Sequence, residues 1–140
     1  MSAERCRACR DDWPPAETFI ADCGPARAYL HEDQFFPGWT LLILRRHATE
    51  LYELDRAERQ ALMEAVNDVA RALAAVYEAV KMNYELLGNL LPHIHWHLVP
   101  RRADDPIPRQ PVWTLTHEPR ALAPAERRAR IDAIRAHLGR

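Results

Sequence analysis

The segment from residue 93 to residue 98 alternates between histidine and apolar side chains, and this pattern restricts the fold more strongly than any other in the chain. The residues are His93, Ile94, His95, Trp96, His97 and Leu98. In a β-strand, successive side chains point to opposite faces of the sheet, so the histidines are expected on one face and the apolar residues on the other. The segment therefore predicts a strand whose apolar face covers the core and whose other face carries three imidazoles.

Turn residues and apolar periodicity predict the other elements. They are a hairpin with strands over 18–21 and 27–30, a buried strand over Trp39–Leu44, a long helix over 55–79, strands over 81–87 and 93–100, and a terminal helix over 124–138. Asp55 and Glu58 have the spacing of a capping box at the start of the long helix. Because strands and helices do not alternate as βαβ units, this order predicts an antiparallel α+β domain.

The composition is that of one ordinary globular domain over residues 1–140, in which the proline-rich stretch 104–119 is expected to form an extended arm. Charged residues make up 28% of the chain, yet the formal net charge is only -1, and the arginines are interspersed with acidic residues. This balance argues against nucleic acid or a membrane surface as the partner. The sequence shows neither a signal-like nor a membrane-spanning apolar stretch, so we expect a cytoplasmic protein.

Three histidines on one strand face need a chemical explanation, because other polar residues would satisfy the alternation equally well. Along a strand, His93 and His97 are about 13 Å apart, which is too far for one zinc ion with bonds of about 2.0 Å. Two neighbouring histidines could share a metal with a ligand from elsewhere. Alternatively, a neutral imidazole could attack phosphorus while its neighbour stabilises the phosphate charge and assists the departing oxygen. Three incidental surface histidines are the remaining interpretation.

The stretch 88–101 resembles the signature of the histidine-triad family, in which three histidines alternate with apolar residues. The resemblance extends more loosely over residues 6–113. It implies a five-stranded antiparallel sheet with helices, usually as a homodimer, and the hydrolysis or transfer of nucleoside monophosphates through a nucleotidyl-histidine. By position, it assigns the attack to His95 and the phosphate contact and leaving-group assistance to His97. The backbone carbonyl near His93 would fix the tautomer of His95.

Cys6 and Cys9 form a second constellation. Two cysteines separated by two residues, in a chain with three cysteines, favour a metal or free thiols over a disulfide. In resembling proteins with this turn, the two cysteines, a histidine that ends the buried strand and the first triad histidine bind zinc. The corresponding residues are Cys6, Cys9, His47 and His93. Such a closed set of four ligands is typical of a structural zinc ion. The alternative is a pair of free thiols and a His47 that only caps its loop; no organic cofactor is expected.

Three further residues are candidates for substrate binding. Asn89 lies four residues before His93, where many family members have a glutamine that contacts phosphate, although this is also an ordinary turn position. Asn83 and Asp33 are candidates for contacts with the nucleotide and its ribose hydroxyls, with solvent-exposed polar residues as the alternative. The chain departs from the family at Trp39, where many members have a further active-site histidine, so the handling of the leaving group is expected to differ.

The sequence therefore predicts a nucleotide hydrolase or transferase. It would cleave a phosphoanhydride or phosphoramidate bond at the α-phosphate of a nucleoside-monophosphate-linked substrate, such as a dinucleoside polyphosphate. Two alternatives remain, namely a hydrolase with a catalytic zinc at His93 and His95, and a non-catalytic nucleotide-binding or scaffold protein with the same fold. Trp39 in place of a histidine favours the scaffold, whereas the intact His95 and His97 favour an enzyme.

Overall fold

The structure, a computed structural model, describes residues 1–139 and contains a five-stranded antiparallel sheet with two α-helices. The strands are β1 (Phe19–Cys23), β2 (Ala26–Leu30), β3 (Thr40–Leu44), β4 (Lys81–Leu86) and β5 (His95–Arg101), and the helices are α1 (Arg56–Tyr77) and α2 (Pro124–Leu138). The predicted α+β class, with a five-stranded antiparallel sheet, a long central helix and a C-terminal helix, is confirmed.

The strand order is β1-β2-β3-β5-β4, so the histidine strand β5 lies between β3 and β4. On one side, His95 pairs with Ile43 and His97 pairs with Leu41. On the other side, Glu85 of β4 is the partner of His97. Because β5 has a hydrogen-bonded neighbour on each side, the sheet fixes the spacing of its histidines.

The two helices cover one face of the sheet and close the main hydrophobic core. That core includes Leu42 and Leu44 of β3, Leu98 of β5, Val66, Val69 and Leu73 of α1, and Ile131 and Ile134 of α2. At the start of α1, Asp55 accepts a hydrogen bond from the Glu58 backbone N–H over 2.8 Å. The predicted capping box is only half formed, because the Glu58 carboxylate pairs with Arg46 instead. Neither helix within residues 1–139 is long and apolar enough to span a membrane.

The opposite face of the sheet carries the side chains of His95 and His97. A smaller apolar cluster lies beside them and consists of Phe36, Trp39, Val99 and Val112. Coverage on both sides explains why all five residues of β3 are buried, as its uninterrupted apolar run predicts.

Arg101, at the end of β5, organises the proline-rich arm that crosses this face. Its buried guanidinium pairs with the Asp105 carboxylate at 2.5 Å and donates to the backbone carbonyls of Ile107 and Gln110. The arm contains a short 3₁₀ turn over Val112–Thr114. Between residues 102 and 119 the chain forms neither an α-helix nor a strand. The buried ion pair of Arg101 with Asp105 therefore holds this irregular segment in place.

The start of β5 differs from the sequence prediction at a functional position. The strand begins at His95, two residues later than predicted. Its predecessor Ile94 donates its backbone N–H to the carbonyl of Ala48, outside the β3–β5 ladder. The chain therefore bends just before the strand, and the His93 ring belongs to a different group of side chains from those of His95 and His97.

Candidate active site and metal centre

His95 and His97 lie side by side on one face of β5, as the alternation predicts. Their ring centroids are 5.2 Å apart, and 6% of His95 and 7% of His97 are exposed. Side chains one pleat apart point the same way. Both imidazoles can therefore reach a single phosphate group placed over them.

The hydrogen bond of His95 fixes which of its ring nitrogens carries the proton. Nδ1 lies 2.7 Å from the backbone carbonyl oxygen of His93, and a carbonyl can only accept. Nδ1 is therefore protonated, and the free lone pair is on Nε2. Burial lowers the pKa of His95, against the opposing effect of this hydrogen bond, so the ring is neutral near pH 7.

His97 has the opposite arrangement. Trp39 donates its indole N–H to Nδ1 of His97 over 3.1 Å. Indole can only donate, so Nδ1 is the acceptor and Nε2 carries the proton. Burial, with smaller effects of His95 and His31, lowers the pKa of His97 to about 3. At Nε2, His95 therefore presents a lone pair, whereas His97 presents an N–H.

His31 belongs to the same site and was missed by the sequence analysis. Its ring stacks on Trp39 with 4.4 Å between the centroids, and its centroid lies 6.2 Å from that of His97. The His31 backbone N–H donates to the Trp39 carbonyl over 2.9 Å, which continues the β2–β3 ladder by one residue. Extending the antiparallel pairing past Leu30 would have placed His31 beside Trp39.

Two tryptophans form walls around the histidine pair. Trp13 packs edge-on against His95 with 5.5 Å between the centroids, and Trp113 packs in the same way against His97 at 5.1 Å. Trp113 donates its indole N–H to the carboxylate of Glu85. Beside Trp113, an open cleft of about 840 Å³ runs along β4, and its lining includes Asn83, Glu85, Arg101 and Trp113 but neither His95 nor His97. A cleft of this size can take a nucleotide-sized group.

The structure also brings together the four residues predicted to bind a metal, namely Cys6, Cys9, His47 and His93. The Sγ atoms of Cys6 and Cys9 and ring nitrogens of His47 and His93 all lie within 4.8 Å of one another. The two Nδ1 atoms are 3.3 Å apart, and each is 3.4 Å from one of the sulfurs. In a tetrahedral zinc site, bonds of about 2.0–2.1 Å to nitrogen and about 2.3 Å to sulfur give separations of about 3.3 Å and about 3.6 Å. The cluster therefore has the dimensions to hold a metal ion.

Hydrogen bonds on the far side of both imidazoles direct their lone pairs into this cluster. Nε2 of His93 lies 2.6 Å from the Leu44 carbonyl, and Nε2 of His47 lies 3.0 Å from the Met1 carbonyl. Each Nε2 therefore donates, and each Nδ1 is left unprotonated. Burial and the neighbouring cysteine raise the pKa of the Cys9 thiol to about 11. Two nitrogen lone pairs facing each other repel unless a cation lies between them, so the donor set fits a metal.

The three residues proposed for substrate binding lie apart from one another. Asn89 is exposed in the loop between β4 and β5. Asn83 is half-buried, and its carboxamide oxygen accepts from the Arg101 guanidinium over 2.7 Å. Asp33 accepts from the ring of His117 over 2.7 Å. Asn83 and Asp33 therefore already have protein partners, whereas Asn89 is open to solvent.

Comparison with known proteins gives a family and two relatives. A family model described as the HIT domain matches residues 12–104. Over 107 residues, the chain is 29% identical to Protein hit of Bacillus subtilis, a match that covers 71% of this chain and 72% of that protein. Over 83 residues, it is 28% identical to an asymmetrical bis(5′-nucleosyl)-tetraphosphatase of Schizosaccharomyces pombe, covering 56% of this chain and 46% of that protein. The chain thus spans less than half the length of the second relative.

Similar solved structures include two bacterial histidine triad proteins. The protein from Bradyrhizobium japonicum has a TM-score of 0.78 and 33% identity, and the match covers 87% of this chain and 92% of that chain. The protein from Sinorhizobium meliloti has a TM-score of 0.79 and 28% identity, covering 85% of this chain and 87% of that chain. The sheet and helices described above are therefore shared over most of both chains.

Proposed function

This chain belongs to the HIT domain family, and from that premise we propose that it is a nucleotide hydrolase or transferase that works through a nucleotidyl-histidine. The bond it cleaves lies at the α-phosphate of a nucleoside-monophosphate-linked substrate. His95 is the nucleophile, and His97 contacts the phosphate and the leaving group.

The opposite hydrogen bonding of His95 and His97 is the observation that carries this proposal. The His93 carbonyl leaves Nε2 of His95 with a lone pair, and the Trp39 indole leaves Nε2 of His97 with a proton. A nucleophile and a hydrogen-bond donor, 5.2 Å apart between ring centroids, are what attack on a phosphate requires from two neighbouring side chains.

The proposed reaction has two steps at the same phosphorus. In the first, the Nε2 lone pair of His95 attacks, and the bond to the leaving oxygen breaks with its electron pair on that oxygen. Nδ1 keeps its proton against the His93 carbonyl, which stabilises the charge that the ring gains. In the second, water or another acceptor attacks, the bond between phosphorus and Nε2 returns its electrons to His95, and the proton of the acceptor passes to solvent.

A phosphoanhydride between a nucleoside monophosphate and a further phosphate is the proposed scissile bond. The relative from Schizosaccharomyces pombe is named for action on bis(5′-nucleosyl)-tetraphosphates, and this name supports a dinucleoside polyphosphate as substrate. We retain Asn89 as a phosphate contact, since an exposed carboxamide donates without adding charge. We also retain Asn83, which lines the cleft and uses only its carboxamide oxygen in the bond to Arg101, as a nucleotide contact. Asp33 already accepts from His117 and would contact ribose only by sharing or giving up that bond, so the proposal does not depend on it.

Zinc is the ion proposed for Cys6, Cys9, His47 and His93. Two thiolates and two imidazoles form a closed tetrahedral set that leaves no position for substrate, so the ion would stabilise the fold around the site and supply no chemistry to the reaction. The alternative of a catalytic zinc shared by His93 and His95 lacks support, because Nδ1 of His93 faces the cysteines and its Nε2 is bound to the Leu44 carbonyl, which leaves neither nitrogen for an ion beside His95.

A rapid-quench experiment with labelled dinucleoside polyphosphate tests the proposal. We expect an acid-labile nucleoside monophosphate on the peptide that contains His95 during turnover. His95→Ala should lose this adduct and nearly all turnover. His97→Ala should slow adduct formation by ~10² to 10³, the usual effect of losing a hydrogen-bond donor that stabilises developing charge.

His137→Ala, at an exposed histidine of α2, is the matched control and should leave adduct formation unchanged. Active protein without an adduct under single-turnover conditions would refute the nucleotidyl-histidine. A protein that binds the nucleotide but never turns it over would be the scaffold of the alternative hypothesis.

The homodimer is also retained as a proposal, because the edge strand β4 and its flanks expose the apolar side chains of Val80, Tyr84 and Leu87. Light scattering on the same preparation tests it.

A further inference from the structure

Trp39 is fixed between the histidines of the candidate site, directly before β3. Only 4% of the residue is exposed, and its indole N–H is bound to Nδ1 of His97 over 3.1 Å. His31 stacks on the indole ring at 4.4 Å, and Trp113 packs edge-on against it at 5.2 Å between centroids. The rings around Trp39 therefore hold its one polar atom against His97.

This contact constrains the protonation of His97 in a way that a histidine at position 39 would not. Indole nitrogen carries a hydrogen and has no lone pair to offer, so it can donate and never accept. A protonated His97 would carry N–H groups on both ring nitrogens, and the one on Nδ1 would face the indole N–H. The hydrogen bond is compatible only with a neutral His97 that has its proton on Nε2.

The other ionisable groups facing His97 favour the same state. His95 and His31 lie on either side of it, and together with burial, which is the larger effect, they lower the pKa of His97 to about 3. Glu85 is the ladder partner of His97 on β4, but its carboxylate accepts the indole N–H of Trp113.

We propose that Trp39 is a positioning residue that holds His97 in the neutral Nε2–H form and thereby restricts the enzyme to leaving groups that depart without gaining a proton. This inference rests on the proposed function and narrows its substrates to phosphoanhydrides, at the expense of phosphoramidates.

The restriction follows from where the electron pair of the broken bond goes. An imidazolium transfers a proton readily, whereas a neutral imidazole N–H donates a hydrogen bond and retains its proton. When a phosphoanhydride breaks, the electron pair stays on a phosphate oxygen, which is stable as an anion near pH 7. When a phosphoramidate breaks, the electron pair stays on nitrogen, which must gain a proton to depart as an amine. A neutral His97 can therefore assist the departure of a phosphate oxygen but not that of an amine.

Nitrogen NMR of the purified full-length protein, labelled with ¹⁵N-histidine, tests the positioning role without turnover. Two-bond correlations distinguish the two tautomers and the imidazolium, and His97→Gln identifies the signals. In the wild type we expect His97 to be neutral and protonated on Nε2 from about pH 5 to about pH 8, across the range in which free histidine titrates. Trp39→Phe, which keeps an aromatic ring but removes the N–H, should also populate the Nδ1–H tautomer.

Trp96→Phe is the matched control. Trp96 lies between the two histidines in sequence, on the opposite face of β5, and its buried indole nitrogen has no partner among residues 1–139. Removing this N–H should leave the His97 signals unchanged. A wild-type His97 protonated on Nδ1, or a Trp39→Phe spectrum identical to that of the wild type, would overturn the positioning role. If Trp39→Phe does not fold, a wild-type His97 that is protonated on Nδ1 or becomes an imidazolium between about pH 5 and about pH 8 still overturns the role.

Single-turnover rates with a series of substituted phenyl esters of a nucleoside monophosphate test the restriction on leaving groups. In the wild type, the rate should fall steeply as the basicity of the departing phenol rises. Trp39→His places a ring there that can accept from a protonated His97, so it should gain ~10-fold or more on the most basic leaving group relative to the least basic. Trp96→Phe should keep the wild-type slope. A shallow wild-type slope, or equal slopes for wild type and Trp39→His, contradicts the restriction.

The two measurements separate this inference from the proposed function. Turnover through a His95 adduct, with a His97 tautomer other than Nε2–H, refutes the role of Trp39 alone. If His97 has the expected tautomer but the protein turns over no nucleotide, the positioning role of Trp39 is supported. The proposed enzymatic function is then refuted, and with it the restriction on leaving groups.

Discussion

His93 connects the two halves of the site through three different atoms. Its Nδ1 faces the two cysteines of the candidate metal site, and its Nε2 donates to the Leu44 carbonyl on β3 over 2.6 Å. Its own backbone carbonyl accepts the Nδ1 proton of His95 over 2.7 Å. The residue that closes the cluster is therefore also the one that determines which nitrogen of His95 is free to react.

Gly38 is a single position at which this geometry depends on the absence of a side chain. Its φ is +91°, and a Cβ there would lie 2.6 Å from Cγ of Pro100 and 2.7 Å from Cδ2 of Tyr77. Both neighbours are rigid rings in the packed interior. We expect Gly38→Ala to lower the free energy of unfolding by about 2–5 kcal/mol, from overpacking and from the left-handed backbone together. Chemical denaturation measures the loss.

Gly139→Ala is the control for the backbone contribution alone. Gly139 also has a positive φ, of +72°, but nothing lies within 4 Å of an added Cβ. Its substitution should cost only about 1 kcal/mol. Equal losses for the two variants would show that the close approach of Pro100 and Tyr77 to Gly38 does not matter.

At the scale of residues, the sequence predicted which side chains share a face but not which of them meet across the chain. The period of two placed His95 and His97 together correctly, since it depends only on local geometry. The contact of Trp39 with His97 spans 58 residues and the contact of Asp33 with His117 spans 84, and nothing local specifies either. The candidate role of Asp33 as a ribose contact stays a prediction, and no local pattern indicates its contact with His117.

At the scale of elements, the segment before α2 is fastened to the loop after β2 by one ion pair. His117 donates to the Asp33 carboxylate over 2.7 Å, and Phe35 stacks on the His117 ring at 4.1 Å. The Arg120 backbone N–H donates to the same carboxylate over 2.9 Å. The loop that leads to Trp39 is therefore held from behind by the C-terminal part of the chain.

This fastening should depend on pH. The hydrogen bond to Asp33 raises the pKa of His117 above its ordinary value of 6.5, so its stabilisation is complete below 6.5 and is lost as the pH rises through the higher folded-state pKa. Burial raises the pKa of Asp33, but the hydrogen bonds from the Arg120 N–H and His117 outweigh it, so the pKa of Asp33 lies below the ordinary 3.8. The stabilisation that Asp33 contributes is therefore lost as the pH falls through this lower folded-state pKa. The Tm difference between wild type and His117→Gln should therefore be largest between 3.8 and 6.5 and should shrink in alkaline solution.

His137→Gln, at an exposed histidine of α2 away from this ion pair, should give a Tm difference that changes little over the same range. If the difference for His117→Gln is equally flat, the ion pair does not stabilise the folded chain.

The elements themselves were largely predictable, and their ends show where prediction stops. The apolar period of α1 and the Asp55 cap are local signals, and together they predict the helix. The start of β5 depends on a hydrogen bond from Ile94 to Ala48, and the course of the arm depends on the buried pair of Arg101 with Asp105. A proline-rich stretch indicates only an extended path, because its direction is set by whatever side chain satisfies its carbonyls.

At the scale of the whole molecule, the cluster of Cys6, Cys9, His47 and His93 joins three parts of the chain that are distant in sequence. Cys6 and Cys9 come from the N-terminal segment, His47 follows β3, and His93 precedes β5. An ion bound to all four would tie the N-terminal segment to the two central strands. Since Trp13 of that same segment packs on His95 at 5.5 Å, the ion would also keep one wall of the active site in place.

Loss of the metal should therefore affect stability strongly and catalysis indirectly. We expect elemental analysis of the purified protein to find one zinc per chain, and Cys6→Ala with Cys9→Ala to abolish it. A loss of about 2 kcal/mol or more in stability would lower Tm by roughly 6–10 °C for a chain of this size. The His95 adduct should still form, but more slowly, because the His93 carbonyl and Trp13 are held less firmly. Cys23→Ala removes a buried thiol of β1 outside the cluster, so it should retain the full zinc content. Unchanged zinc content and Tm in the double variant would refute the cluster as a zinc site. Complete loss of the adduct in a double variant that stays folded would instead indicate that the metal takes part in the reaction.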